Sequence, residues 1–170
     1  MNANVKRNFV LQQGFENQPV DGCGRRFTAL QFQPRVILVV VVAGVIIQAP
    51  YLFLVLGLVL AWNASFPRWN PFDALHNALF ARRPGRERLT PAPPPRRFAQ
   101  TLAALFTLTI SGLLLAGLRT AAYVVEGALL AAVGALVFGG FCLGSFLYHV
   151  LTGRSEYARG TLPWSREPRP

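Results

Sequence analysis

Apolar residues collect in two long blocks, Val36–Phe66 and Phe98–Leu151, while the sequence around them is polar and rich in Arg and Pro. Runs this long with almost no charge are typical of membrane-spanning helices, because about 20 apolar residues cross about 30 Å of hydrocarbon. A straight helix over Val36–Phe66 would measure about 46 Å, which is too long for one comfortable span. A break between Gln48 and Pro50 gives two shorter helices instead, since Pro suits the first turn of a helix.

The second block divides at the tight connection Gly117–Thr120, so the chain is predicted to be an all-α membrane protein with four transmembrane helices in two hairpins. A basic, proline-rich linker joins the hairpins and holds a short helix, because Asn70 can cap a helix and Pro71 fits its first turn. This helix is predicted to be interfacial, and a plain connector helix packed on the bundle is the alternative. The predicted parts are a cytoplasmic N-terminal arm (1–26), a membrane domain (27–151) with spans at 34–48, 50–66, 98–118 and 121–151 and a linker at 67–97, and a flexible C-terminal tail (153–170).

The distribution of positive charge predicts the orientation of these helices. Of the 17 Lys and Arg residues, five precede Val36, seven lie between Arg68 and Arg97, four follow Leu151, and one is Arg119. The two hairpins place 16 of the 17 on one side, which the positive-inside rule makes cytoplasmic. The chain is therefore predicted to lie in a bacterial inner membrane with both termini in the cytoplasm. Nucleic-acid binding is not expected despite the formal charge of +10, because the basic residues flank apolar blocks.

Aromatic and basic residues after the second span predict the membrane interface. Trp62 and Trp69 suit the headgroup level, where amphipathic rings are enriched. Arg82 and Arg83 begin the basic part of the linker, whose side chains are expected to hold anionic headgroups at about 1 kcal/mol each. Membrane lipids are thus predicted partners. No cofactor is predicted, and a bound lipid or the pigment of a neighbouring subunit is the alternative that stays open.

Small residues recur at helical spacing through the last apolar run. At 3.6 residues per turn they form a side-chain-poor stripe that lets another helix approach closely, which is the usual way in which apolar helices associate in lipid. The predicted packing face consists of Gly127, Ala131, Ala135 and Gly139, with Gly140 and Gly144 on an adjacent ridge. Other membrane-protein subunits are therefore the predicted protein partners.

The two cysteines are the first candidates for chemistry. The fourth span runs from outside to inside, so Cys142 and Cys23 are expected at the same membrane face. A redox pair, or a metal site that also uses His149 and Asp21, is one interpretation. Neither a CxxC motif nor paired histidines are present, which favours Cys142 as a packed small residue, and no metal is predicted.

Glu126 is the one acid deep in an apolar run. Intramembrane acids often mark proton or ion routes, which makes a small transporter one hypothesis. The other interpretation is an ion pair with Arg119, two turns away and close to the outer surface. The sequence contains no hydrolase elbow, phosphate loop, dinucleotide fingerprint or pair of catalytic carboxylates, so no enzymatic activity is expected.

Three segments carry a resemblance to a known family: Val20–Ala29 (VDGCGRRFTA), Pro95–Gln100 (PRRFAQ) and Phe141–Tyr148 (FCLGSFLY). Over about Val20–Leu151 the chain resembles the bacterial integral-membrane family catalogued as domain of unknown function 4395. The resemblance implies a four-span membrane protein. Members often carry Phe-Cys-x-Gly-Cys-x-x-Tyr in the last span, and some are found near thioredoxin- or rhodanese-like proteins, which implies thiol or sulfur chemistry. Ser145 stands at the second cysteine position of that motif here.

These features favour a non-enzymatic accessory or structural subunit of a larger bacterial membrane complex, with a respiratory or photosynthetic complex as a natural host. The alternative is a thiol-redox or sulfur-handling membrane protein that uses Cys142 with Cys23 or a partner's cysteine. A small transporter centred on Glu126 is the third hypothesis.

Overall fold

The computed structural model describes residues 1–16, 22–80 and 87–165, and in these ranges the chain forms nine α-helices and no strands. In chain order they are α1 (Ala3–Gln12), α2 (Cys23–Leu30), α3 (Phe32–Ile47), α4 (Pro50–Ser65), α5 (Pro71–Leu79), α6 (Pro94–Leu115), α7 (Arg119–Gly134), α8 (Leu143–Leu151) and α9 (Ser155–Gly160). A short 3-10 turn, Pro67–Trp69, follows α4, and a π-helical segment, Ala135–Gly139, extends α7.

Three helical segments are long and apolar enough to cross a membrane, which indicates a membrane protein. They are Cys23–Ile47, Pro94–Leu115 and Arg119–Gly139. The first combines α2 and α3, because Gln31 between them keeps a helical conformation. Helix α4 is also apolar but has 16 residues. At 1.5 Å per residue it is about 24 Å long, shorter than a bilayer core of about 30 Å.

The predicted break in the first apolar block is confirmed. Gln48 adopts a left-handed conformation with φ 50°, Ala49 is extended, and Pro50 opens α4 in its first turn. Left-handed conformations are uncommon outside glycine, and this one is held by a hydrogen bond of 2.8 Å from Gln48 Nε2 to the Val45 carbonyl. The second predicted turn, between α6 and α7, contains Gly117 at φ 74°. Both apolar blocks therefore fold back on themselves.

Helix α6 is central and packs against α4, α7 and α8. Gly57 in α4 permits one of these contacts, because a Cβ there would lie 2.7 Å from the Leu108 side chain. Gly144 in α8 permits another, because its Cβ would lie 2.6 Å from the Ala99 Cα. Such distances exclude any side chain unless the helices separate. The core between these helices and α3 consists of Ile37, Val41, Phe53, Leu56, Leu60, Ala104, Ile110, Leu129 and Val133.

The predicted single helix over 121–151 is wrong, because the chain breaks after the π-helical segment. Gly140 is left-handed at φ 65° and Cys142 is extended before α8 begins at Leu143. The Ala135 carbonyl closes the π turn by accepting from the Gly140 N–H, and it also accepts from the Phe141 N–H at 3.1 Å. Gln31 Nε2 also donates to the Leu136 carbonyl at 3.0 Å, so a distant side chain satisfies a carbonyl at the break.

The first and last described segments, 1–16 and 153–165, pack on the rest of the chain. The N-terminal arm, expected to be irregular, contains α1, whose Phe9 ring meets the Phe27 ring edge-on at 5.1 Å between centroids. The expectation of a flexible tail is not met as far as Ser165. Asn8 Nδ2 donates to the carbonyls of Leu162 and Ser165 at 2.8 and 3.0 Å, and Ala158 is buried. As far as Ser165 the tail is fixed, because α1 offers it both hydrogen bonds and apolar contact.

Candidate functional site

A buried ion pair joins α5 to α6 at the linker end of the helices. Asn70 caps α5 by accepting hydrogen bonds from the backbone N–H groups of Phe72 and Asp73 at 3.0 and 3.4 Å. This cap places Asp73 in the first turn, where the helix dipole favours a carboxylate. Arg96 in the first turn of α6 donates to both oxygens of Asp73, with Nη2–Oδ1 at 2.7 Å and Nη1–Oδ2 at 3.2 Å. The contact is therefore bidentate.

Two glutamines extend this pair across the helix interface. Gln33 Oε1 in α3 accepts hydrogen bonds from Arg96 Nη2 at 2.8 Å and from Gln100 Nε2 at 3.1 Å. We call Gln33, Asp73, Arg96 and Gln100 the polar cluster. All four residues are buried, with relative exposures between 3% and 6%. Polar groups buried among apolar helices are costly and mark functional or specificity-determining positions, so this cluster is the main candidate site.

A small cavity of about 70 Å³ adjoins the polar cluster, and we call it the inner cavity. Gln33, Arg96 and Gln100 line it together with Cys142, and the rest of its lining is mainly apolar. Gln100 Oε1 is buried without a hydrogen-bond partner among the described groups. A site of this kind has room for a small polar molecule, which needs polar partners on its walls.

The structure does not bring the two cysteines into one site. Cys142 is buried at the break before α8, where its N–H donates to Gln12 Oε1 at 2.7 Å. Cys23 is buried at the start of α2, within electrostatic range of Arg26 and Glu87, and it does not line the inner cavity. Neither thiol is in a disulfide. The predicted thiol pair is therefore not assembled here.

The described ranges contain no group of three His, Cys, Asp or Glu side chains that could hold a metal ion. Asp21, one of the candidate ligands, lies outside the described residues. His149 is fully buried and contacts the N-terminal helix instead of lying at an interface. Its Nε2 is 3.1 Å from the Gln12 carbonyl oxygen, and since a carbonyl only accepts, Nε2 carries the proton.

Further contacts fix the C-terminal helices to α1. Tyr157 donates its hydroxyl proton to the Leu11 carbonyl at 3.1 Å and meets the His149 ring edge-on. Arg154 pairs with Glu16 at 2.8 Å and lies over the Tyr157 ring. Burial lowers the pKa of His149 and raises the pKa of Tyr157 to about 12. Both groups are therefore held neutral at physiological pH.

The predicted ion pair between Glu126 and Arg119 is not formed. Glu126 is 1% exposed, and its two carboxylate oxygens accept from Gln48 Nε2 at 3.3 and 3.1 Å. Arg119 is exposed at the first residue of α7, two turns or about 10.5 Å along the axis from Glu126. The α3–α4 turn, rather than α7 itself, supplies the partner of the acid because it carries Gln48 against α7.

The predicted small-residue face is divided by the helix break. Gly127 and Ala131 lie on the exposed side of α7, and the buried side carries Ala122, Glu126, Leu129 and Val133. In the π-helical segment, Ala135 is half-buried and Gly139 is exposed. Gly140 and Gly144 pack inside the chain, against Val5 and Ala99 respectively. The six residues therefore do not form one face.

The predicted interfacial anchors are only partly described. Trp62 and Trp69 are 51% and 74% exposed, and Trp62 Nε1 donates to the Trp69 carbonyl at 3.3 Å. This hydrogen bond joins the two residues next to the start of α5, and the Trp62 ring packs on the Phe66 ring at 4.5 Å between centroids. Arg82 and Arg83 lie outside the described residues.

The polar cluster was not identified from the sequence. Its members lie at 33, 73, 96 and 100, and only the α5 cap pointed to one of them, Asp73. A signal was nevertheless present, since Gln33 and Gln100 are isolated amides near the linker ends of two apolar helices. Amides at matching depth in separate spans have reason to meet, because lipid offers them no hydrogen bonds.

Comparison with known proteins identifies a family and adds no activity. The family model described as Domain of unknown function (DUF4395) matches residues 27–152. No curated protein and no solved structure matches the chain. The matched region contains every member of the polar cluster and Cys142.

Proposed function

The chain belongs to the family of domain of unknown function 4395, and since that family has no assigned activity, we propose a role from the geometry of the chain itself. The protein is a non-enzymatic subunit of a bacterial membrane complex, and it binds neighbouring membrane helices through the outer face of α7. In this proposal α4 is the fourth span and the linker and both termini are cytoplasmic. The charge distribution supports this proposal, because four spans would put 16 of the 17 basic residues on one side of the membrane.

The exposed part of α7 is the observation that carries this proposal. Gly127 and Ala131 are exposed, and a Cβ built at Gly127 would meet nothing within 4 Å. Lipid tails gain nothing from small side chains, whereas a second helix gains van der Waals contact when its backbone approaches closely. The buried face of α7 already packs on α3 and α6, so the outer face is left for a partner.

The experiment is co-purification from native membranes in a mild detergent, followed by identification of the proteins that come with the chain. We expect Gly127→Leu and Ala131→Leu to release the partner, because a large side chain separates the two backbones. Val39→Leu is the matched control, since Val39 is 68% exposed on α3 and also gains bulk. Recovery of the wild type as a free monomer, or equal partner yield in all variants, would contradict the proposal.

The second candidate function is thiol or sulfur handling at Cys142. Its supporting observation is the inner cavity, which Cys142 lines together with Arg96 and Gln100, and where Gln100 Oε1, without a partner among the described residues, can accept a hydrogen bond from a small polar group. Ser145 occupies the second cysteine position and donates to the Pro95 carbonyl at 3.3 Å. Maleimide labelling of intact membranes tests this role. An inert Cys142 together with a silent Cys142→Ser variant would eliminate it.

A further inference from the structure

A second and larger cavity lies on the other side of the buried ion pair, and we call it the outer cavity. Its volume is about 730 Å³, and it lies between the turn after α4, helix α5 and the linker before α6. Ligand pockets usually measure about 300–1,000 Å³, so this volume fits a small molecule or a headgroup. Two arginines line it from separate parts of the chain, Arg68 from the 3-10 turn and Arg88 from the linker.

Neither arginine is neutralised within the part of the chain that the structure describes. Arg68 and Arg88 are both exposed, and neither makes an ion pair or side-chain hydrogen bond with another described residue. Asp73 is the one acid in the cavity lining, and Arg96 engages both of its carboxylate oxygens from behind. The cavity therefore carries two uncompensated positive charges.

Hydrogen bonds hold other lining residues of the outer cavity in place. Asn77 in α5 makes two hydrogen bonds with the Leu89 backbone. Its side chain accepts from the Leu89 N–H at 2.8 Å and donates to the Leu89 carbonyl at 3.0 Å. The Thr90 oxygen accepts from Arg26 Nη1 at 3.2 Å, so its own hydroxyl proton stays available as a donor. Arg68 and Arg88 therefore present only hydrogen-bond donors to a ligand, and the Thr90 hydroxyl can donate as well.

We propose that the outer cavity binds a phosphate-bearing anion, and that Arg68 and Arg88 both donate hydrogen bonds to the phosphate. The guanidinium fork matches phosphate oxygens and remains charged at all physiological pH values. Trp69, which is 74% exposed, lies between Arg68 and the α5 cap, and amphipathic rings of this kind favour the headgroup level. The phosphate belongs either to an anionic lipid headgroup or to a free phosphate compound, and the experiment distinguishes these sources.

The test uses the full chain purified in a neutral detergent, with binding measured by native mass spectrometry. The probes are phosphatidylglycerol, phosphatidylcholine and inorganic phosphate. We expect Arg68→Gln/Arg88→Gln to weaken binding of the anionic probe by about tenfold or more, the effect of losing at least one charge-assisted hydrogen bond. Arg25→Gln/Arg35→Gln is the matched control, because it removes two exposed arginines that do not line the outer cavity.

A cavity-filling variant separates the site from general surface charge. Ala78 is exposed on α5 and lines the outer cavity, so Ala78→Phe fills it while both arginines remain. We expect this variant to lose binding as the double arginine variant does. Binding of phosphatidylglycerol that inorganic phosphate does not displace identifies a lipid headgroup, whereas displacement identifies a free phosphate compound. Full affinity in Ala78→Phe, or equal losses in the double variant and its control, would overturn the proposal.

Discussion

The buried pair between Asp73 and Arg96 makes a strong prediction about stability. Only 6% of the Arg96 side chain and 9% of the Asp73 side chain is exposed. Asp73→Ala leaves the guanidinium buried with the Gln33 amide oxygen as its remaining side-chain acceptor. Removing one partner of a buried ion pair typically costs about 3–5 kcal/mol, because the other charge stays desolvated without compensation.

The assay is equilibrium unfolding of the purified chain in mixed micelles, followed by far-ultraviolet circular dichroism. Asp73→Ala, Asp73→Leu and Arg96→Met are measured singly, and Asp73→Leu/Arg96→Met is measured as the charge-free replacement. Replacing both partners by apolar groups of similar volume is often neutral or stabilising, so we expect the double variant to recover most of the loss. A coupling energy of several kcal/mol between the two positions follows from these values.

The pair between Arg154 and Glu16 is the matched control, since its side chains are 46% and 44% exposed at a similar distance of 2.8 Å. Glu16→Gln should cost less than about 1 kcal/mol, because water screens an exposed pair. If Asp73→Ala costs no more than Glu16→Gln, or if the double variant is as unstable as the single ones, the polar cluster is hydrated and the reasoning is refuted.

Three further predictions follow from other contacts. The free energy of unfolding should fall as pH drops below about 6.5, because His149 binds a proton in the unfolded chain more readily than in the folded chain, where burial lowers its pKa. In a pH-dependent unfolding series, His149→Gln should flatten this part of the curve. Gly144→Val should lower the free energy of unfolding by about 1–3 kcal/mol or more, because its Cβ meets the Ala99 Cα. Gly139→Ala, where the added Cβ meets open space, should change the free energy of unfolding by less than about 0.5 kcal/mol. Glu126→Gln should preserve the fold in the same assay, because an amide oxygen still accepts from Gln48 Nε2. A loss of solute flux in this folded variant would therefore favour the transporter hypothesis.

The parts of the fold that local sequence decides were predictable. Pro50 in a first turn and Asn70 as a cap each act within a few residues, and both elements begin where these signals place them. Gly117 likewise ends α6 through its own backbone freedom at φ 74°. The boundaries between α3 and α4 and between α6 and α7 were predictable for the same reason, since such signals depend little on tertiary context.

The break after α7 and the polar cluster were not predictable because distant residues decide them. The run from Ala121 to Leu151 is apolar throughout, and its interruption is held by Gln31 on the Leu136 carbonyl and by Gln12 on the Cys142 N–H. These partners lie 105 and 130 residues apart in sequence. The break in turn carries Cys142 to the inner cavity beside Arg96, whose acceptors on Asp73 and Gln33 come from two other helices. A helix that forms one continuous stripe in sequence thus serves two purposes in the fold: its first half presents an outer face, and its end builds the wall of a buried site.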